Sequence, residues 1–209
     1  MRAFKTEGII IKRKNIGEAD RIITIITPDL GKINIKATGV RRIISRRSPH
    51  VELLNYTSLG LYKGKFLPIL TEAKTIDSFS TLKKDLHKIG LVYHLCELIN
   101  GLCPENQENK AVFELFKDTL HRLSGSSVIL SEAKNPCLPA GKALQGEERS
   151  FVNTRDDIVS IIHEFEVELL SLLGYWNNTS VERLWDTQAY IEEIMERKLK
   201  SKNIFLKLQ

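Results

Sequence analysis

Five β-type runs fall within the first eighty residues, and none follows them. Thr6–Arg13 reads TEGIIIKR and Arg21–Thr27 reads RIITIIT, both rich in β-branched residues. Pro28-Asp29-Leu30-Gly31 separates RIITIIT from the next run and is turn chemistry. Proline presets φ there and glycine accepts a positive one. Lys32–Thr38 then alternates, with Ile33, Ile35 and Ala37 on one side and Asn34, Lys36 and Thr38 on the other. Val51–Lys63 and Phe66–Ser78 supply two more runs across a Lys63-Gly64-Lys65 turn. Five short strands in about 75 residues, with one irregular insertion after the third, predict a small closed barrel of the OB-fold layout.

The insertion is basic. Lys32 to Arg47 carries Lys32, Lys36, Arg41, Arg42, Arg46 and Arg47, and no acid lies between Asp29 and Glu52. The chain leaves the strand at Gly39 and enters a cationic loop. Charge is divided unevenly along the whole chain. Residues 1–80 hold 15 Lys+Arg against 7 Asp+Glu, whereas the remainder is acidic on balance within a total of +5. A basic module joined to a near-neutral one suits a polyanion, because each cation that meets a phosphate releases condensed counterions without reading a base. A merely solvated basic face is the plainer alternative. Candidate phosphate contacts are Lys12, Arg13, Lys32, Lys36, Arg41, Arg42, Arg46, Arg47 and Lys63. Tyr62 and Phe66 flank the second turn and are candidate stacking platforms, unless one of them packs in the core. Glu18, Asp20 and Arg21 are read as local ion pairing that fixes a strand start rather than as catalytic groups.

The first forty residues resemble the opening of the RecO family of DNA repair proteins. The shared pattern is Thr6, Gly8 and Lys12; then Gly17, Glu18, Asp20 and Arg21; then Thr27, Gly31 and Lys32; then Ala37, Gly39, Arg41 and Arg42. The resemblance implies an OB-fold module followed by a helical domain, so the expected class is α+β, with domains 1–80 and 81–209.

The remainder reads as helices. Thr81–Cys103 places Leu82, Leu86, Ile89, Tyr93, Cys96 and then Ile99 or Cys103 on one stripe, and Pro104 stops it. Asn109–Leu123 repeats the pattern with Val112, Phe113, Phe116, Leu120 and Leu123. Residues 124–151 are rich in glycine, proline and serine and read as an insert or linker. Thr154-Arg-Asp-Asp157 resembles a capping box ahead of a stripe at Ile158, Ile161, Ile162, Phe165, Leu169, Leu172 and Leu173, closed by Gly174. A last helix is expected over about 187–200. Its basic end (Arg197, Lys198, Lys200, Lys202) reads either as complement to the helix dipole or as a second phosphate patch. Here too the chain is similar to the RecO family, in Leu169, Leu172, Gly174 and Tyr175 and in Leu199, Lys200 and Ser201.

Cys96 and Cys103 sit on the first stripe and read as buried hydrophobes, whereas Cys137 reads as an exposed thiol in the insert. Many RecO family members carry a four-cysteine zinc module after the Leu-Gly-Tyr segment. No cysteine lies between Tyr175 and Gln209 here, so no zinc and no other cofactor is expected. No P-loop, HExxH or GxSxG motif occurs, and an enzyme is not expected. Three unpaired-looking cysteines and the lack of a signal-like or membrane-length apolar run suggest a cytoplasmic, reducing setting, and the resemblance to the RecO family implies association with the nucleoid. The resemblance implies binding to single- and double-stranded DNA, strand annealing, and work with RecR and the SSB C-terminal tail in loading RecA. Arg197 and Lys198 are the candidate rim for the acidic, apolar tail. An RNA- or ribosome-associated barrel protein is the competing reading, and a scaffold that docks an acidic protein is a third.

Overall fold

A computed structural model describes residues 3–125, 155–175 and 187–201. The β-branched runs form β1 (Ala3–Ile16), β2 (Asp20–Thr27), β3 (Gly31–Ala37), β4 (Tyr56–Tyr62) and β5 (Ile69–Asp77). They close into a barrel in the order β1-β2-β3-β5-β4, with β4 returning to β1. Every pair is antiparallel except β3 and β5, which meet in parallel at Lys36 and Ile69. The fourth and fifth strands begin later than the sequence suggests. Ser48–Val51 is a 3-10 turn with proline in its first turn. The Leu54 N–H donates to the Ile10 carbonyl and the Asn55 side chain to the Pro49 carbonyl, so this segment turns back along β1 instead of extending the strand.

Alternation along β1 divides its side chains between two cores. Ile10 points into the barrel with Ile23, Ile25, Ile35, Leu59 and Leu61. Ile9 and Ile11 point the other way and join Ile26, Leu54 and the helices in a second core. Fully burying one such side chain contributes about 1.5–3 kcal/mol. The second core is therefore built partly from barrel residues.

Among the described residues five helices follow: α1 (Ser80–Lys84), α2 (Leu86–Leu102), α3 (Lys110–Ser124), α4 (Arg155–Leu172) and α5 (Thr187–Ile194). The single helix expected over Thr81–Cys103 is broken at Asp85. Its carboxylate accepts the backbone N–H groups of His87 and Lys88 and so starts a new helix there. The expected stripe is only partly kept in α2. Cys96, Ile99 and Cys103 are buried, but Leu86 is 78% exposed and Tyr93 is exposed too, while Val92, His94, Leu95 and Leu98 are buried off the stripe. The helix is enclosed by β1, α3 and α4, so most of its circumference is apolar and no single stripe marks it.

α3 and α4 follow their patterns more closely. Val112, Phe113, Phe116, Leu120 and Leu123 are all buried, and the Asn109 side chain caps α3 by accepting the Val112 N–H. Phe116 meets Phe165 of α4 with ring centroids 6.2 Å apart. Ile161, Ile162, Phe165 and Leu169 of α4 are buried, but Leu172 is exposed and Leu170 takes its place. Gly174 has φ +77°. The Tyr175 N–H reaches the Leu170 carbonyl and the Gly174 N–H the Ser171 carbonyl, a Schellman ending.

α5 is shorter than expected and stops at Ile194, with Glu196 turning the chain at φ +51°. Arg197, Lys198 and Lys200 thus lie beyond the helix, and the reading in which they neutralise its last turn fails. Their segment is tied to α2 instead. Glu97 accepts the backbone N–H groups of Lys200 and Ser201. Burial pulls the Glu97 carboxyl upward, but those N–H groups outweigh it and hold it below its ordinary value.

Cys96 and Cys103 are buried free thiols. Burial pushes Cys103 up to about 11, with Lys32 opposing, and raises Cys96 as well. The insert from residue 126 on, Cys137, Thr154 of the capping box and Lys202 lie outside the described residues. Among the described residues no helix is long and apolar enough to cross a membrane, and no group of three or more His, Cys, Asp or Glu could hold a metal ion.

Candidate nucleic-acid interface

Three connections meet at one end of the barrel: the β1–β2 hairpin tip, the loop after β3, and the β4–β5 loop. Gly39 lets the chain turn out of β3 at φ +64°. Its N–H donates to Asp20 Oδ1 at 2.8 Å, while Lys36 Nζ stands 3.1 Å from Asp20 Oδ2. The Gly39 N–H and then the Lys36 ammonium hold the Asp20 carboxyl below its ordinary value. Asp20 therefore anchors the base of the basic loop, a role more particular than the strand-start pairing read from sequence. Arg41 ties the loop to the hairpin, its backbone N–H reaching the Ala19 carbonyl and its guanidinium the Gly17 carbonyl. On the far side Lys36 N–H donates to the Pro68 carbonyl, which brings the β4–β5 loop alongside.

What this end displays is cationic. Arg41, Arg42, Arg46, Lys63 and Lys65 are exposed. Arg42 and Arg46 edge an open cleft of about 500 Å³ that also includes Asp20 and Ile44. Among the described residues neither arginine forms an ion pair. Phe66 is 87% exposed, with Lys65 Nζ 5.5 Å from its ring centre. Tyr62 is partly exposed at the end of β4. Neither aromatic is in the core. Tyr56, on the opposite end of β4, is half-buried against Phe113.

Two predicted contacts are engaged within the fold. Lys32 is buried, and its Nζ donates to the Asn100 carbonyl at 2.7 Å. Burial pushes its ammonium below the ordinary lysine value. Lys32 joins the barrel to α2 and is withdrawn from the phosphate-binding set. Around it, the Asn106 N–H donates to the Lys32 carbonyl and Asn34 Nδ2 to Glu105. Gly31 permits this docking. Its φ is +65°, and a Cβ there would stand 1.7 Å from the Gln107 carbonyl oxygen. Arg47 is also withdrawn, because its guanidinium donates to the Leu70 and Thr38 carbonyls and clamps the loop to β5.

Lys12 and Arg13 lie away from the loop. Arg13 pairs with Glu52, which Arg21 also approaches at 3.5 Å. Both line a second cleft of about 400 Å³ between barrel and helices, with Tyr93, Glu97, Arg197 and Lys200. Lys198 is exposed and is not part of that lining. Lys200 was read from sequence only as part of the basic end and Tyr93 only as a stripe residue; their meeting in this cleft was not foreseen, because the return of the 197–201 segment to α2 spans about a hundred residues. Also unforeseen is a buried chain in which His94 hydrogen-bonds with Ser201 Oγ and Glu166 Oε1, each at 2.7 Å. All three residues are buried, so this chain fastens α2, α4 and the 197–201 segment together without reaching a substrate.

The comparisons with known proteins agree with this architecture. Residues 1–79 match the family described as Recombination protein O N terminal, and residues 83–133 match Recombination protein O C terminal. The chain belongs to the RecO family. It is similar to the DNA repair protein RecO of Roseiflexus sp. (strain RS-1), 41% identical over 128 residues, 61% of this chain and 45% of that protein. The RecO of Dehalococcoides mccartyi (strain ATCC BAA-2100) is 40% identical over 124 residues, 59% of this chain and 49% of that protein. The RecO of Acetivibrio thermocellus (strain ATCC 27405) is 32% identical over 175 residues, 84% of this chain and 59% of that protein. The chain thus spans about half the length of the curated RecO relatives it matches.

Proposed function

We propose that this RecO-family chain is a non-enzymatic DNA-binding recombination mediator. On this reading residues 1–80 bind single- and double-stranded DNA, and residues 81–209 engage protein partners. The observation that carries it is the anchored loop after β3, which holds Arg41, Arg42 and Arg46 outward from a closed barrel. Lys36, Lys63, Tyr62 and Phe66 extend the same end. Annealing requires two strands to be neutralised without being read, and a cationic barrel end with a stacking ring suits that task. The chain would then act with RecR on SSB-coated strands and so assist the loading of RecA. The junction cleft with Lys12, Arg13, Arg197 and Lys200 combines cations with apolar Ile11, Leu53 and Tyr93. That chemistry suits an acidic, apolar tail such as the SSB C-terminus.

The test is annealing of two complementary fluorescent oligonucleotides, one coated with SSB, at two salt concentrations. Salt-sensitive acceleration is expected. With Lys36, Arg41, Arg42, Arg46 and Lys63 each meeting a phosphate, log K should fall with log salt at a slope of roughly −3.5 for single strands. A slope near zero would sink the phosphate mechanism. Preference for RNA over single-stranded DNA in competition would favour the RNA-binding reading. Unchanged tail-peptide affinity after Arg197→Glu with Lys200→Glu would remove the partner site.

A further inference from the structure

The tip of the basic loop is apolar. Ile43 is 105% exposed and Ile44 87%. They occupy the two central positions of a turn closed by the Ser45 N–H on the Arg42 carbonyl at 2.9 Å. Such positions favour proline, glycine, asparagine, aspartate or serine. Two β-branched aliphatic side chains there bury nothing and contribute nothing to the fold. They are nevertheless presented firmly. Asp20 holds the loop at Gly39, the hairpin holds it at Arg41, and Arg47 clamps its far end to Thr38 and Leu70. Isoleucine is also stiff at χ1, so the tip is a short, rigid knob.

The surroundings select the occupant. Arg41 and Arg42 precede the pair and Arg46 follows it, and Ile44 shares its cleft with Arg42 and Arg46, so the apolar knob is flanked by exposed arginines. A knob cannot receive an apolar side chain as a groove would. It can enter a gap, and phosphates on either side of a base step would meet the arginines as it entered. We propose that Ile43 and Ile44 form a wedge that inserts between adjacent bases of the bound DNA and unstacks them. This rests on the DNA-binding reading above and adds a step to it. Apolar side chains set among cations are a known means of opening base steps. An unstacked strand presents its base edges, which is the state in which complementary strands can begin to pair.

The experiment uses oligonucleotides carrying 2-aminopurine, whose emission rises on unstacking, with anisotropy of a separate end label reporting binding. Wild-type protein at saturation should raise the emission about threefold, whereas Ile43→Ser with Ile44→Ser should leave it nearly flat while changing Kd by no more than about threefold. The double variant keeps its fold because both side chains are exposed, and Ile43→Leu with Ile44→Leu should restore the rise. An equal rise from the serine variant overturns the wedge. So does binding by wild type with no rise at all. Absence of any anisotropy change would instead overturn the DNA-binding reading itself. Serine substitution that leaves the emission rise intact but abolishes co-sedimentation with phosphatidylglycerol vesicles would assign the tip to a lipid surface and also overturn the wedge.

Discussion

Gly31 and Gly17 have nearly the same backbone conformation, φ +65° and +56°, but unlike surroundings. An added Cβ at Gly17 meets nothing within 4 Å, whereas at Gly31 it would overlap the Gln107 carbonyl. Gly17→Ala should therefore cost only the left-handed backbone term, about 1 kcal/mol. Gly31→Ala should carry that term and also force residues 105–108 away from β3. The bonds at risk are Asn106 N–H to the Lys32 carbonyl, Asn34 to Glu105, and Lys32 Nζ to the Asn100 carbonyl. At about 1 kcal/mol each, their loss brings the total to about 4 kcal/mol. That is a large share of a typical folding stability of about 5–15 kcal/mol. Urea unfolding of both variants followed by circular dichroism checks this, with the difference between them as the decisive quantity. Hydrogen exchange at the Asn106 amide should accelerate in Gly31→Ala alone. Two variants equal to within about 0.5 kcal/mol would refute the claim that glycine is needed there for close approach.

The other arginine and acid assignments are testable in the same way. Arg47→Ala should lower thermal stability by a few degrees and weaken DNA binding with the salt slope nearly unchanged; Arg42→Ala should leave stability alone and make the slope shallower by about 1. Equal slopes from the two variants would contradict the separation of clamp from contact. Asp20 has a folded pKa held below its ordinary 3.8. Its hold on the loop should therefore be complete above that value and lost as pH falls through the lower, folded one. An NMR titration of the Gly39 amide with its midpoint at or above 3.8 would refute the anchor.

The barrel was legible because its signals are local. Alternation at Ile33, Ile35 and Ala37 and the Pro28–Gly31 turn each occupy only a few residues. The α3 stripe was legible for the same reason, since one face of that helix is apolar and the other solvated. The buried face of α2 was legible only in part, at Cys96 and Ile99 but not at Leu86, because a helix enclosed on most sides carries little phase. Lys32 illustrates a different limit. Its charge reads as solvent-facing from sequence, and the carbonyl that receives it lies 68 positions away. Arg47 is similar, since a guanidinium that clamps two carbonyls looks in the sequence like one that waits for a phosphate. Ile43 and Ile44 were visible as letters, but only the loop's course showed that nothing covers them. The family pattern contained Gly31 and Lys32 without their reason, which is the docking of one module on the other.

β1 gives Ile10 to one core and Ile9 and Ile11 to the other, on opposite faces of a single strand. The barrel and the helices therefore cannot melt independently. Loss of β1 removes a wall from each, and severing the chain near residue 80 would leave Ile9, Ile11, Ile26 and Leu54 bare on the barrel's outside. Two modules by topology thus form one cooperative unit by thermodynamics, and unfolding should show a single transition that the barrel and the helices share.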